Sequence, residues 1–206
     1  VPNVTMEVMY TNSWFDIDKE GAAAEALVAK GCVIIGQHAD STGAPSACQA
    51  AQEAGTTVYC VGYNIDMLPS APTAALTSAQ NDWSIYYTYA FNCALKGEDI
   101  ATDWAKGYAE GANMISKLGE SCAAGTAEQV AEVEKGIKEG TLNVFDCSKF
   151  TVGGETVTSF LAIDTNGDFQ GDEGEAITDG VFHESTLRSA PYFGLRIDGI
   201  NELNNN

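Results

Sequence analysis

The chain has 206 residues, 45% of them hydrophobic and 9% aromatic, enough for a packed core in one large domain or two small ones and too apolar for a disordered chain. Ten Lys and Arg stand against 29 Asp and Glu, a formal net charge of −19, which repels nucleic-acid phosphates and anionic lipid. No run approaches the roughly 18 consecutive apolar residues of a membrane helix, and Val1-Pro2-Asn3 lacks the basic and apolar regions of a signal peptide. A soluble chain is expected, from which any targeting segment has been removed or to which none belonged.

Residues 4–10 alternate and are rich in strand formers, and Asp16 then stands as a helix cap before an Ala-rich stretch that ends near Gly31. Residues 32–36 form a short, wholly apolar run, the pattern of a strand covered on both faces. A helix is expected over 44–54 with Gly55 as its stop, a third strand over 57–62 and a fourth over 74–78. A helix follows from about Asp82 to Leu95, closed by Gly97. Beyond it the spacing predicts a weak strand over 104–108 and a helix over 126–139 stopped by Gly140. A hairpin over 150–157 turns on Gly153-Gly154, an acidic loop spans 164–175, and strand fragments surround residues 193–197. The alternation of strand and helix implies an α/β fold with a mostly parallel, doubly wound sheet and right-handed crossovers. Residues 1–100 read as one α/β lobe and residues 101–206 as a crossing-back segment.

The six cysteines are too widely spaced for a zinc site. Cys32 and Cys60 lie in apolar runs and read as buried small hydrophobes, whereas Cys122 and Cys147 flank a helix in polar surroundings and are the candidates for a bridge in an exported protein. In the acidic loop, Asp164, Asn166, Asp168, Asp172 and Glu175 fall at positions 1, 3, 5, 9 and 12 of an EF-hand-like calcium spacing. Phe169 occupies position 6, where such a loop places glycine, so the match is partial and a solvated acidic loop is the alternative. Calcium is the one candidate ion; no other cofactor is required.

Ligands of an open parallel sheet collect beyond the carboxyl ends of its strands. Each such end here offers an aromatic ring, a carboxylate or both: Trp14 and Asp16, His38 and Asp40, Asn64 and Asp66, and Asn81, Asp82 and Trp83. That mix suits a planar polar ligand, which needs stacking and direction-specific hydrogen bonds. Asp16 and Asp82 read first as helix caps, and Trp14 as either a core aromatic or a ligand contact. Asp40 and Asp66 begin no apolar-periodic run and read as contact residues. His38 beside Asp40 invites an acid–base role, but no nucleophile stands in an elbow context beside it; His183 reads as structural.

The segments Tyr10-Thr11-Asn12-Ser13-Trp14-Phe15-Asp16, Val33-Ile34-Ile35-Gly36-Gln37-His38-Ala39-Asp40-Ser41, Val61-Gly62-Tyr63-Asn64-Ile65-Asp66-Met67 and Leu76-Thr77-Ser78, in that order and spacing, resemble the basic membrane protein family. Its members are lipid-anchored substrate-binding proteins of bacterial ABC importers. The resemblance covers residues 1 to about 145. It implies a type 1 periplasmic-binding-protein fold, three-layered αβα with a Rossmann-like lobe, the second lobe being incomplete here. By resemblance the ligand is a purine nucleoside or nucleobase in an interlobe cleft, with Trp14 stacking on the base and Asp66 taking ribose hydroxyls or a ring nitrogen. His38, Asp40 and Asn64 would line the same wall. Asn81 stands where nucleoside-binding relatives often carry Lys, which leaves a free base as eligible as a nucleoside.

The implied partners are an ABC permease and the family's preceding half, which contributes much of the first lobe and is absent from this chain. The implied location is the extracellular face of the cell membrane or the periplasm. A lone half exposes an apolar face, so self-association or instability is expected. Two alternatives stay open: a purine-processing enzyme with His38 and Asp40 as its acid–base pair, and a sensor or interaction module that kept the fold and lost the pocket.

Overall fold

A computed structural model of the chain describes residues 4–102, 104–163, 173–183 and 195–204. The polypeptide divides into two compact units, one of Glu7–Lys138 with Glu202–Asn206 and the other of Val1–Met6 with Glu139–Asn201. The chain order begins β1 (Met6–Val8), α1 (Ile17–Ala29), β2 (Ile34–Gly36), α2 (Gly43–Glu53), β3 (Tyr59–Asn64), β4 (Ala75–Asn81), α3 (Trp83–Lys96), β5 (Asn113–Ile115) and α4 (Thr126–Lys138). It ends with β6 (Leu161–Ile163), β7 (Glu173–Glu175), β8 (Ile177–Thr178), β9 (Val181–Phe182) and β10 (Ile200–Glu202).

In the larger unit a four-stranded sheet runs in the order β2-β3-β4-β5. The first three strands are parallel and β5 returns antiparallel beside β4. The helices start and stop where local chemistry dictates. Asp16 Oδ1 accepts the Lys19 N–H at 3.0 Å and Asp82 Oδ1 accepts the Ser84 N–H at 3.0 Å, so both aspartates are the caps their positions suggest. At the other end, α1 and α2 run into Gly31 and Gly55 at φ of 94° and 93°. There the Cys32 and Thr56 N–H groups reach back to Leu27 and Ala51 carbonyls, closing both helices with six-residue loops.

The core of this unit is built from small side chains: Ala24, Ala44, Cys48, Cys60, Ala74 and Ala75 surround Ile35, Val58 and Met67. Such residues let elements approach closely, and α1 meets α2 where Gly43 lies against the Ile17 carbonyl and Glu20 Cβ. A Cβ at Gly43 would overlap that carbonyl.

Several expectations need correction. Strand β1 does not join the four-stranded sheet but pairs with β10; its Val-Thr-Met-Glu-Val alternation is that of a strand with one polar face. Strand β2 is covered on one face: Ile35 is buried with α1 and α2, while Ile34, pointing the other way, is 58% exposed. Residues 104–108 form no strand. Instead the chain turns, with the Gly111 N–H bonded to the Tyr108 carbonyl, and the strand forms later as β5. The Tyr108 hydroxyl donates to Glu134 of α4, and burial together with that carboxylate pushes its pKa up to about 12.

In the smaller unit, Cys147, Ala162, Ala176, Ile177 and Phe182 form a second core, flanked by Phe160 with its ring 5.6 Å from that of Phe182. The Gly-Gly turn is present in miniature, as a Val152–Glu155 bridge with Gly153 and Gly154 at φ of 62° and 84°. Asp198 holds it, accepting from Thr151 Oγ1 at 2.6 Å and from the N–H groups of Gly153 and Gly154 at 3.0 and 2.8 Å. Glu175 lies in β7 rather than in a loop, and residues 195–197 form no strand, β10 lying further on. Residues 193 and 194 lie outside the described residues. All six cysteines are free, Cys122 and Cys147 included, and Cys32 is half-buried where Cys60 is fully buried.

Gly43→Ala should lower stability by about 1–3 kcal/mol, because the overlap forces α1 and α2 apart; a urea midpoint unchanged from wild type would contradict the packing described. Hydrogen bonds to Glu175, first from the Phe160 N–H, and to Asp198, first from Thr151, hold both carboxyls below their usual range. Depressed folded values mean stability that is fully present above roughly pH 4.5 and lost as pH falls through those values. Thermal midpoints measured from pH 5 down to pH 2 should therefore fall less steeply in a Glu175→Gln, Asp198→Asn variant than in wild type.

Candidate functional site

Because β2, β3 and β4 are parallel, their carboxyl ends open on one edge of the sheet, and His38, Asp40, Asn64, Asp66 and Asn81 lie at or just beyond those ends, while Trp14 lies in the loop after β1. The loop after β2 is set by a buried polar network. The Gln37 side-chain amide donates to the carboxylate of buried Glu20 at 3.3 Å, to the Ala39 carbonyl at 2.7 Å and to the Ser41 carbonyl. Three acceptors around one NH2 group fix its orientation, since a flipped amide would set oxygen against oxygen. Glu20 in turn accepts the Asp16 N–H at 3.0 Å, which ties this loop to the start of α1.

Asp40 emerges from this anchored loop. Its N–H donates to the Trp14 carbonyl at 2.8 Å, and its Oδ1 accepts from Asn64 Nδ2 at 3.4 Å. Trp14, Asp40 and Asn64 thus form a hydrogen-bonded run across three strand-end loops. Asn64 has φ of 69°, a left-handed conformation that asparagine tolerates and that turns the chain sharply at the end of β3. The Trp14 ring is 80% exposed, so it is no core aromatic. His38 is also exposed, with its ring 5.3 Å from that of Tyr63.

Asp66 Oδ1 accepts the Leu68 N–H at 3.0 Å, shaping the turn after β3 and leaving Oδ2 outside that bond. The turn folds against β4 because Gly62 has no side chain: a Cβ there would collide with Met67 and Ser78. The Met67 N–H instead donates to Ser78 Oγ at 3.1 Å. Asn81 ends β4, its Oδ1 accepting from Asn113 Nδ2 at 2.7 Å across the β4–β5 pair. Asn81 is therefore engaged in closing the sheet, while Trp14, Asp40 and Asn64 are joined to one another.

Of the acidic-loop residues, Asp164, Asn166, Asp168 and Asp172 lie outside the described residues. The Glu175 carboxylate already accepts from Ser159 Oγ at 2.6 Å and from the Phe160 and Ile177 N–H groups at 2.8 Å each. A concavity of about 460 Å3 in the smaller unit, lined by Asp146, Cys147, Ile177 and Asp179 among others, contains none of the strand-end residues. Sequence reasoning gave no role to Glu20 or Gln37. The signal for Glu20 was its place in the first turn of α1, from which a carboxylate reaches back to the cap.

This arrangement, with loops converging beyond parallel strands, is one that solute-binding proteins share. The chain matches an ABC transporter solute-binding protein from Conexibacter woesei at a TM-score of 0.51 and 17% identity, over 66% of this chain and 44% of that one. One from Aeropyrum pernix matches at 0.53 and 13% identity, over 70% and 46%. A transcriptional activator of the comK gene from Bacillus halodurans shares the fold as well, at 0.53 and 15% identity, over 65% and 46%. Within that fold the chain belongs to the family of PnrA-like ABC transporter substrate-binding proteins, whose model matches residues 2–144.

Among curated relatives, a purine-binding protein of Brucella abortus is 33% identical over 144 residues, 70% of this chain and 39% of its own length. A putative ABC transporter glucose-binding protein of Haloferax volcanii is 32% identical over 174 residues, 84% of this chain and 42% of its own. The chain spans about two fifths of each.

Gln37→Leu keeps the bulk of the side chain and removes the donor, leaving the buried oxygens of Glu20 and Ser41 short of a partner. It should cost about 1–3 kcal/mol of stability; a variant as stable as wild type in urea would show that the network does not anchor the loop.

Proposed function

We propose that this chain forms part of the substrate-binding component of an ABC importer and takes a purine nucleoside or nucleobase at the carboxyl edge of its parallel sheet. The observation that carries the reading is the run Trp14–Asp40–Asn64, with an exposed indole beside directional polar groups. An indole stacks on a planar base, while Asp40, Asn64 and Asp66 offer acceptors and a donor to ring nitrogens or ribose hydroxyls. The name of the Brucella relative supports a purine, whereas that of the Haloferax relative makes a hexose the rival. In this reading the protein captures and releases rather than converts. Each side chain of the enzymatic alternative has another partner, His38 packing on Tyr63 and Asp40 pairing with Asn64. Closure of a second lobe over the ligand would favour the liganded state through contacts made in that state alone. Delivery is to a membrane permease, from the outer face of the membrane or the periplasm, with a lipid anchor in the complete protein. Among the described residues no helix is long and apolar enough to cross a membrane.

The second lobe would be completed by the portion of the fold that the relatives carry beyond this chain's span. Supporting that, Trp83, Tyr87, Phe91 and Leu95 recur every fourth residue along α3, and all are more than half exposed. In a chain with 29 acidic residues, this helix carries a single charge, Lys96. A charge-free aromatic stripe of this kind is built to be covered, and Val33 and Ile34 of the same unit are also exposed.

Calorimetric titration with adenosine, guanosine, inosine, adenine, hypoxanthine and glucose, with and without a co-expressed first-lobe half, tests the proposal. Saturable purine binding without turnover is expected, and Trp14→Ala should weaken it by about 1–3 kcal/mol. Glucose binding alone, turnover, or unchanged affinity in the Trp14 variant would overturn the corresponding assignment.

A further inference from the structure

The charge at the carboxyl edge of the parallel sheet is of one sign. The loops that meet there, residues 9–16, 37–42 and 65–74 together with residue 82, hold Asp16, Asp40, Asp66 and Asp82 and no Lys or Arg. Basic side chains that flank this edge are already paired: Lys19 Nζ lies 3.0 Å from Asp16 Oδ2, and Lys106, in the segment that leads into β5, lies 3.8 Å from Glu110 Oε1. Asp16 and Asp82 are helix caps. Asp40 and Asp66 are not, and among the described residues neither forms an ion pair. Asp40 accepts from Asn64 Nδ2 at 3.4 Å and Asp66 from the Leu68 N–H at 3.0 Å, each through Oδ1. Beside Asp40, whose N–H donates to the Trp14 carbonyl, Trp14 is 80% exposed.

A neutral base laid on this surface takes water from Asp40 and Asp66 and returns hydrogen bonds but no opposing charge. A cationic base returns both. The indole adds to the preference, because the negative face of its ring attracts a cation, and Trp does so more strongly than Tyr or Phe. A phosphorylated ligand meets the reverse: carboxylates, no ammonium or guanidinium in these loops, and the field of a chain with a net charge of −19. We propose that this surface selects its ligand by charge. It favours purines that carry a positive charge on the ring, as methylation of a ring nitrogen produces, over neutral ones, and it rejects phosphorylated ones. Asp40 and Asp66 supply the counter-charge and Trp14 the cation-binding face. The inference deepens the purine reading given above and rests on it.

Two isomers test it: 1-methyladenosine and 6-methylaminopurine riboside differ in the position of one methyl group, and at neutral pH the first is a cation and the second is not. Calorimetric titration of the full chain, alone and with the co-expressed first-lobe half, compares them with adenosine and adenosine monophosphate at low and high salt. The cation should bind about 10-fold tighter than its neutral isomer, the gap should narrow in high salt, and the monophosphate should bind most weakly. Asp40→Asn and Trp14→Leu should each shrink the gap by about 3-fold. Glu53→Gln removes the same unit of charge at the far end of α2 and should leave the gap unchanged. Equal or tighter binding of the neutral isomer would overturn the inference and leave the purine reading standing. A gap that shrinks as much in the Glu53 variant would assign the preference to net charge and overturn its assignment to this surface. Absence of binding by every compound would overturn the site itself and the inference with it.

Discussion

Parallel pairing of β2, β3 and β4 is the constraint from which the rest of the larger unit follows. Parallel strands must each be followed by a crossover that returns the chain to the far edge, so every loop at the carboxyl edge emerges beside its neighbours. Asp40 and Asn64, 24 residues apart, meet for that reason, and the Asp40 N–H brings in the Trp14 carbonyl from the loop after β1. The edge is held by groups that face inward: Gln37 and Glu20 anchor one loop, and Gly62 with Ser78 anchor the next. Side chains that face outward are left free to meet a ligand.

The core that supports this edge is made of alanine, cysteine and glycine rather than large aliphatic residues. Small residues bring helix and sheet close and leave few ways to rearrange, because an added methyl has no space to enter. The cost is a modest apolar area per residue, and the chain's charge of −19 adds self-repulsion. The cover proposed for the α3 stripe would offset that weakness from outside the unit.

Much of this was legible in the sequence. Asp16 and Asp82 were readable as caps because an acidic side chain before an apolar-periodic run has one common use, and Gly31, Gly55 and Gly97 marked helix ends that the structure places within a residue or two. The strand ends after β2 and β3 were readable from the strand and helix alternation, and the structure joins Asp40 and Asn64 there by a hydrogen bond. What escaped has physical reasons. The apolar run at residues 32–36 suggested cover on both faces, but periodicity reports hydrophobicity and not whether a partner layer is present, and Ile34 is exposed. The strand expected over 104–108 lost to the turn at Tyr108–Gly111, since the aromatic rings of Trp104 and Tyr108 cannot outweigh a glycine that lets the chain reverse. Glu20 and Gln37 were invisible as a pair because the fold brings together residues 17 positions apart.

The central claim is that the carboxyl edge of the parallel sheet is the ligand-binding surface. Backbone amide NMR of the isotopically labelled chain, titrated with a purine nucleoside, tests it most directly. The account predicts saturable shift changes concentrated at residues 12–16, 37–41 and 63–67 and at the Trp14 indole, with the smaller unit little affected. Changes confined to the concavity around Asp146 and Asp179, or none at saturating nucleoside, would contradict it.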